Sequence, residues 1–94
     1  MDKRQLVQTA ARQSSLTRRQ LDEAVDVIFA VISEALVGGD SVVLRDFGRF
    51  YTQVSPAYHV TSLQTGRPCL VESRPLPLFR SSAALRRKLK EERL

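Results

Sequence analysis

The stretch from Leu21 to Leu36 puts apolar side chains on more of a helix than one neighbour can cover. Leu21, Ala24, Val25, Ile28, Phe29, Val31, Ile32, Ala35 and Leu36 recur at helical spacing and spread past the single stripe a surface helix needs. Its start is well marked. Thr17 with Gln20 three residues on reads as a capping box, and Leu16 and Leu21 stand at the two hydrophobic-staple positions. Gly38-Gly39 stops the helix near Leu36 or Val37. Such a helix must be covered on two sides. The chain has 94 residues, which allows one domain with a thin core. One short helix and a small sheet are hardly enough to cover it, so a second subunit is expected. Other means of holding a small domain together are closed. Cys69 is the only cysteine, so no disulfide forms within the chain, and a lone cysteine suits a reducing cytoplasm. His59 and Cys69 are the only strong soft ligands, where structural zinc takes about four. We therefore expect a dimer, of one kind of chain or two, with no metal and no other cofactor.

The rest of the chain supplies a modest set of elements. Residues 3–13 read as a short helix with Leu6, Val7, Ala10 and Ala11 on one face and Asp2 as its N-cap. After Asp40 the pattern turns to β. Ser41 to Arg45, a tight turn at Asp46-Phe47-Gly48, and Arg49 to Val54 make a hairpin, with Gly48 supplying a backbone angle or a close approach. Residues 55–75 carry Pro56, Pro68 and Pro75, β-branched residues on both sides and a turn at Gln64-Thr65-Gly66. They read as a long hairpin whose prolines suit edge strands. With few large apolar residues it is expected to be an exposed, mobile arm. Ser81 or Ser82 caps a final helix with Ala84, Leu85 and Leu89 facing inward.

Charge is unevenly placed. The net charge is +5. Residues 1–52 hold seven basic and seven acidic side chains, whereas residues 80–94 hold six basic against two acidic. A clustered basic segment attracts polyanions, and the attraction weakens with salt. On charge alone, a solvated helix face fits equally well. No segment approaches the roughly 18 apolar residues of a membrane span, and residues 1–5 lack the apolar core of a signal peptide. We expect a protein that stays in the cytoplasm, with no membrane partner.

The order helix, helix, hairpin, arm, short basic helix meets specific residues at Lys3, Gln5-Leu6, Gly39-Asp40, Phe47-Gly48-x-Phe50, Gln64-Thr65-Gly66, Pro77-x-Phe79 and Ala84-Leu85. Together these closely resemble the HU/IHF family of bacterial histone-like DNA-bending proteins, over essentially the whole chain. The resemblance implies an α+β fold and an intertwined dimer. Residues 1–40 would form the helical dimerisation base, residues 41–79 a sheet saddle with its arm at about 55–75, and residues 80–94 the basic C-terminal helix, all in one domain. It also implies double-stranded DNA as partner, a place in the nucleoid, arms in the minor groove and an apolar wedge at each tip. The chain departs from the family in the arm. The family's tip usually reads Arg-Asn-Pro before x-Thr-Gly; here it is Thr61-Ser62-Leu63-Gln64-Thr65-Gly66, with Leu63 in the wedge position. Ser55, Tyr58 and Thr61 stand where arginine is common.

The candidate phosphate contacts of the body are Lys3, Arg45, Arg49, Arg80, Ser81, Ser82, Arg86, Arg87 and Lys90. The start of the last helix is a ready anion site. Arg45 and Arg49 either line the saddle floor or pair with Asp46. In the arm the candidates are Tyr58, Leu63, Gln64, Thr65, Gly66, Arg67 and Arg74. Leu63 either wedges between bases or packs on a neighbour; Arg67 and Arg74 either contact DNA or are solvated. Ile28, Phe29, Ile32, Phe47, Phe50 and Phe79 are assigned to the core or dimer interface. His59 and Cys69 are read as inert. The sequence offers no paired buried carboxylates, phosphate loop or metal-ligand spacing, so no enzyme and no small-molecule substrate are expected. The expected function is architectural binding of duplex DNA with little sequence preference and weakened bending. The alternatives are a protein-interaction dimer on the same fold, or one subunit of an IHF-like heterodimer.

Overall fold

The computed structural model describes residues 1–93. Helices α1 (Lys3–Arg12) and α2 (Arg18–Val37) are followed by strands β1 (Val42–Leu44), β2 (Gly48–Ser55), β3 (Tyr58–Thr61), β4 (Pro68–Val71) and β5 (Arg74–Ser81), and by helix α3 (Ala83–Arg93). The chain divides into two compact units, residues 1–34 and 35–94.

In the first unit both helices open on reciprocal caps. The Asp2 carboxylate accepts from the Gln5 N–H at 2.9 Å, and the Gln5 side chain accepts from the Asp2 N–H at 3.0 Å. Asp2 thus forms a full capping box, more than the simple cap read from sequence. Thr17 and Gln20 repeat the arrangement at the start of α2, at 3.1 and 2.9 Å. These pairs satisfy N–H groups that the first helical turn leaves free. Val7 is the one buried apolar side chain among the described residues, at 4% exposure. Ile28, Phe29 and Ile32, assigned to the core or dimer interface, are not closed off within one chain. Ile28 and Phe29 are half exposed, Val27 and Val31 more so, and Ile32 is only partly covered. One chain of this length has too few apolar elements to cover both sides of α2.

The second unit opens on the last turn of α2. The Gly39 N–H donates to the Leu36 carbonyl at 3.0 Å and the Asp40 N–H to the Ala35 carbonyl at 2.9 Å, with Gly39 at φ 81°. This is a Schellman stop, which needs a residue that tolerates the left-handed region. Strands β1, β2 and β5 form an antiparallel sheet in the order β1-β2-β5, and β3 and β4 form a separate two-stranded ladder. The β2–β5 ladder runs from Gly48 opposite Ser81 to Ser55 opposite Arg74. Pro75 and Pro77 lie on β5, an edge strand, opposite Val54 and Thr52. Proline has no N–H to donate, so this edge is blunted against a further strand.

The β1–β2 turn decides between the two readings of Gly48. The left-handed residue is Asp46, at φ 61°, and Gly48 has no unusual φ. Gly48 is required by a close approach instead: a Cβ there would lie 2.5 Å from the Phe79 ring and 2.6 Å from the Arg80 carbonyl oxygen. Phe79 packs at a tilt against Phe47 and Phe50, with ring centroids 5.4 and 5.0 Å away. This cluster is also open, with Phe47 and Phe79 nearly half exposed. Leu89, expected to face inward, is exposed too.

Candidate nucleic-acid interface

Directly opposed residues of an antiparallel ladder share a face. The β2–β5 register therefore separates two chemistries. Gly48, Phe50 and Thr52 share one face with Phe79 and Pro77. The other face carries Arg49 opposite Arg80, Tyr51 opposite Leu78, Gln53 opposite Leu76, and Ser55 opposite Arg74. Arg74, counted with the arm from sequence, thus belongs to the three-stranded sheet, as does Ser55. The separate arm ladder is shorter than 55–75, running from Tyr58 opposite Val71 to Thr61 opposite Pro68.

Arg45, Arg49, Arg80, Ser81 and Ser82 line one shallow concavity, whose single acid is Asp46. The alternative that Arg45 or Arg49 pairs with Asp46 is not realised. Among the described residues the only ion pairs are those of Lys3. Arg49 stacks instead on Tyr51, its guanidinium carbon 4.8 Å from the ring centroid.

Ser82, not Ser81, caps α3. Its hydroxyl accepts from the Leu85 N–H at 3.0 Å, its carbonyl accepts from the Arg86 N–H at 3.1 Å, and its own N–H donates to the Phe47 carbonyl at 2.9 Å. The cap thereby ties the end of β5 to the β1–β2 turn. Ser81 is the last residue of β5, and its carbonyl and hydroxyl both accept from the Arg86 guanidinium. Arg86 is thus partly engaged in holding this junction. Arg87 and Lys90 lie exposed on α3.

Lys3 has a different setting. Its ammonium contacts Asp26 and lies 3.5 Å from Asp22. The hydrogen bond to Asp26 is the main cause that holds it above the ordinary lysine value, against a lesser desolvation. Two carboxylates thus lie beside this charge, and all three side chains are exposed.

At the arm tip, Ser62 organises the turn. Its hydroxyl accepts from the Gln64 and Thr65 N–H groups at 3.3 and 3.4 Å, its N–H donates to the Arg67 carbonyl, and its carbonyl accepts from the Gly66 N–H, both at 2.8 Å. Thr65 Oγ1 accepts from the Arg67 N–H, and Gly66 takes φ 69°. Leu63 is fully exposed at the apex. Tyr58 and Val60 share an arm face with Val71 and Cys69. Sequence reading passed over Ser62, Tyr51 and Gln53. The alternation Arg49, Tyr51, Gln53 was the available signal for the last two.

Comparison with known proteins adds a second line of support. The family described as bacterial DNA-binding protein matches residues 1–90. The chain is 33% identical over 86 residues to DNA-binding protein HU-beta 2 of Neisseria meningitidis, covering 92% of this chain and 94% of that one. It is 34% identical to DNA-binding protein HU of Geobacillus stearothermophilus, covering 92% and 96%. Among solved structures, the Anabaena HU–DNA cocrystal structure superposes with a TM-score of 0.90 at 28% identity, covering 95% of this chain and 97% of that one. HU from Thermotoga maritima shares the fold, with a TM-score of 0.67 at 22% identity and coverage of 95% and 98%.

Proposed function

Because the chain belongs to the bacterial DNA-binding protein family, in its HU group, we propose that it is an architectural protein that grips duplex DNA as a dimer, chiefly through phosphates and with little sequence preference. The family is one of DNA-binding proteins, not a class of enzymes. The observation that carries the reading is the sheet face where Arg49, Arg80 and Arg74 stand without a carboxylate partner among the described residues. Uncompensated guanidinium groups on an open face favour phosphate oxygens, which position a protein on DNA without reading sequence. Arg45 and the exposed Arg87 and Lys90 extend this charge. Residues 1–40 serve as the dimerisation base, residues 41–79 as saddle and arm, and residues 80–94 as the basic flank; the site of action is the nucleoid.

The arm is the weak part of the grip. Between Pro56 and Ser73 it carries Arg67 against Glu72, so it adds little attraction to phosphates. Leu63 supplies an apolar wedge without proline's rigidity. We infer a smaller bend than that of the Geobacillus stearothermophilus relative.

Fluorescence anisotropy with a labelled duplex tests the phosphate grip. Affinity is expected to fall steeply between about 50 and 200 mM salt, and the Arg80→Glu, Arg87→Glu double variant to lose at least about tenfold. Salt-independent binding would overturn the phosphate reading. End-to-end energy transfer on the same duplex, beside that relative, tests the bend; an equal bend at equal affinity would refute the weakened arm.

A further inference from the structure

Arg49 and Arg80 are direct register partners across β2 and β5. Residues so placed have Cβ atoms about 4.5–5.5 Å apart, and like charges there repel. No carboxylate relieves them: among the described residues only Lys3 forms ion pairs, and Asp46, which lines the same concavity, is paired with neither arginine. One contact does engage Arg49. Its guanidinium carbon stands 4.8 Å from the centroid of the Tyr51 ring, two residues along the same face. The ring's negative face attracts the cation. It also draws the guanidinium along β2 while leaving its N–H groups free to donate, since stacking consumes none of them. Tyr51 is itself only partly exposed and lies opposite Leu78, so the stack has apolar support.

A pair of opposed cations needs a counter-anion. A phosphodiester fits well, because its two free oxygens can accept from two guanidinium forks at once. We propose that Arg49 and Arg80 form a two-arginine clamp on one backbone phosphate of duplex DNA, with Tyr51 the positioning residue that aims Arg49. The clamp rests on the duplex-DNA reading above and assigns it a defined contact. In the bound state the phosphate offsets the repulsion across the ladder, so the arginines work as a unit. Tyr51 acts only through Arg49.

A double-mutant cycle on the full chain tests both parts, with duplex affinity read by anisotropy and thermal melting recorded for each variant. Arg49→Gln and Arg80→Gln are each expected to lower affinity about tenfold, and the pair together far less than the product of the two. Tyr51→Leu should cost about threefold. Tyr51→Phe keeps the ring and should bind as wild type. In the Arg49→Gln background Tyr51→Leu should have no further effect. Melting temperatures close to wild type throughout would tie these losses to the contact. Additive losses for the two arginines would overturn the clamp. An equal cost of Tyr51→Leu in both backgrounds would overturn the positioning role, because the ring would then touch DNA directly. Absence of duplex binding by the wild-type chain would overturn the functional reading and the clamp together.

Discussion

A methyl group at position 48 would lie 2.5 Å from the Phe79 ring and 2.6 Å from the Arg80 carbonyl oxygen. The ring packs at a tilt on Phe47 and Phe50, and the carbonyl belongs to a strand, so backbone as well as ring would have to shift. Gly48→Ala is therefore expected to destabilise the fold by about 1–3 kcal/mol, the usual cost of overpacking. Urea denaturation measures it, and an unchanged midpoint would contradict the close approach. Asp46 shows how a neighbour can carry the conformational load. It takes the left-handed angle of the turn, as aspartate does more readily than most residues. From the string Asp46-Phe47-Gly48 alone the two roles are interchangeable, because both residues suit turns.

At the scale of elements, α1 is held to α2 by Lys3 between Asp22 and Asp26. The folded state raises the Lys3 pKa, mainly through its hydrogen bond to Asp26. A raised lysine stabilises fully below its unfolded value, about 10.4, and that stability is lost as pH rises through the folded value. Wild type should thus be more stable than Lys3→Met at neutral pH, and the gap should close at strongly alkaline pH. Paired denaturation curves would show it, and a gap that persisted with Lys3 deprotonated would refute it. The arm offers a separate test. Leu63 is an uncharged apex, so Leu63→Ala should reduce the DNA bend yet leave the salt slope of binding unchanged, since the slope counts neutralised phosphates. Energy transfer and a salt titration on one sample separate the two effects. A changed slope would mean that the tip sets the placement of charges elsewhere.

For the whole molecule, the open apolar side chains of α2 and of the Phe47, Phe50 and Phe79 cluster require explanation. Large exposed apolar surfaces on a small chain mark a partner surface, and a dimer accounts for both. Its stability must then depend on concentration. The melting temperature is expected to rise with protein concentration over a hundredfold series in calorimetry; a constant value with a monomer in sedimentation would exclude obligatory pairing.

Several features were legible in the residues because they are local. The Thr17–Gln20 capping box, the stop at Gly38-Gly39, the hairpin turn and the basic end of the chain depend on neighbours a few positions away, and short-range spacing reports them. The excess of apolar residues on α2 also announced that one chain would leave them uncovered. Other features depend on pairing between distant strands, which spacing does not encode. Only the β2–β5 register brings Arg49 opposite Arg80, joins Arg74 to the same sheet and sets Gly48 against Phe79. A shift of one residue would turn every one of these side chains to the other face. The sequence by itself determined the three helices, the first hairpin, the cap that opens α2 and the need for a partner. The tertiary structure decided which charges meet, because that is a property of the ladder and of no single strand.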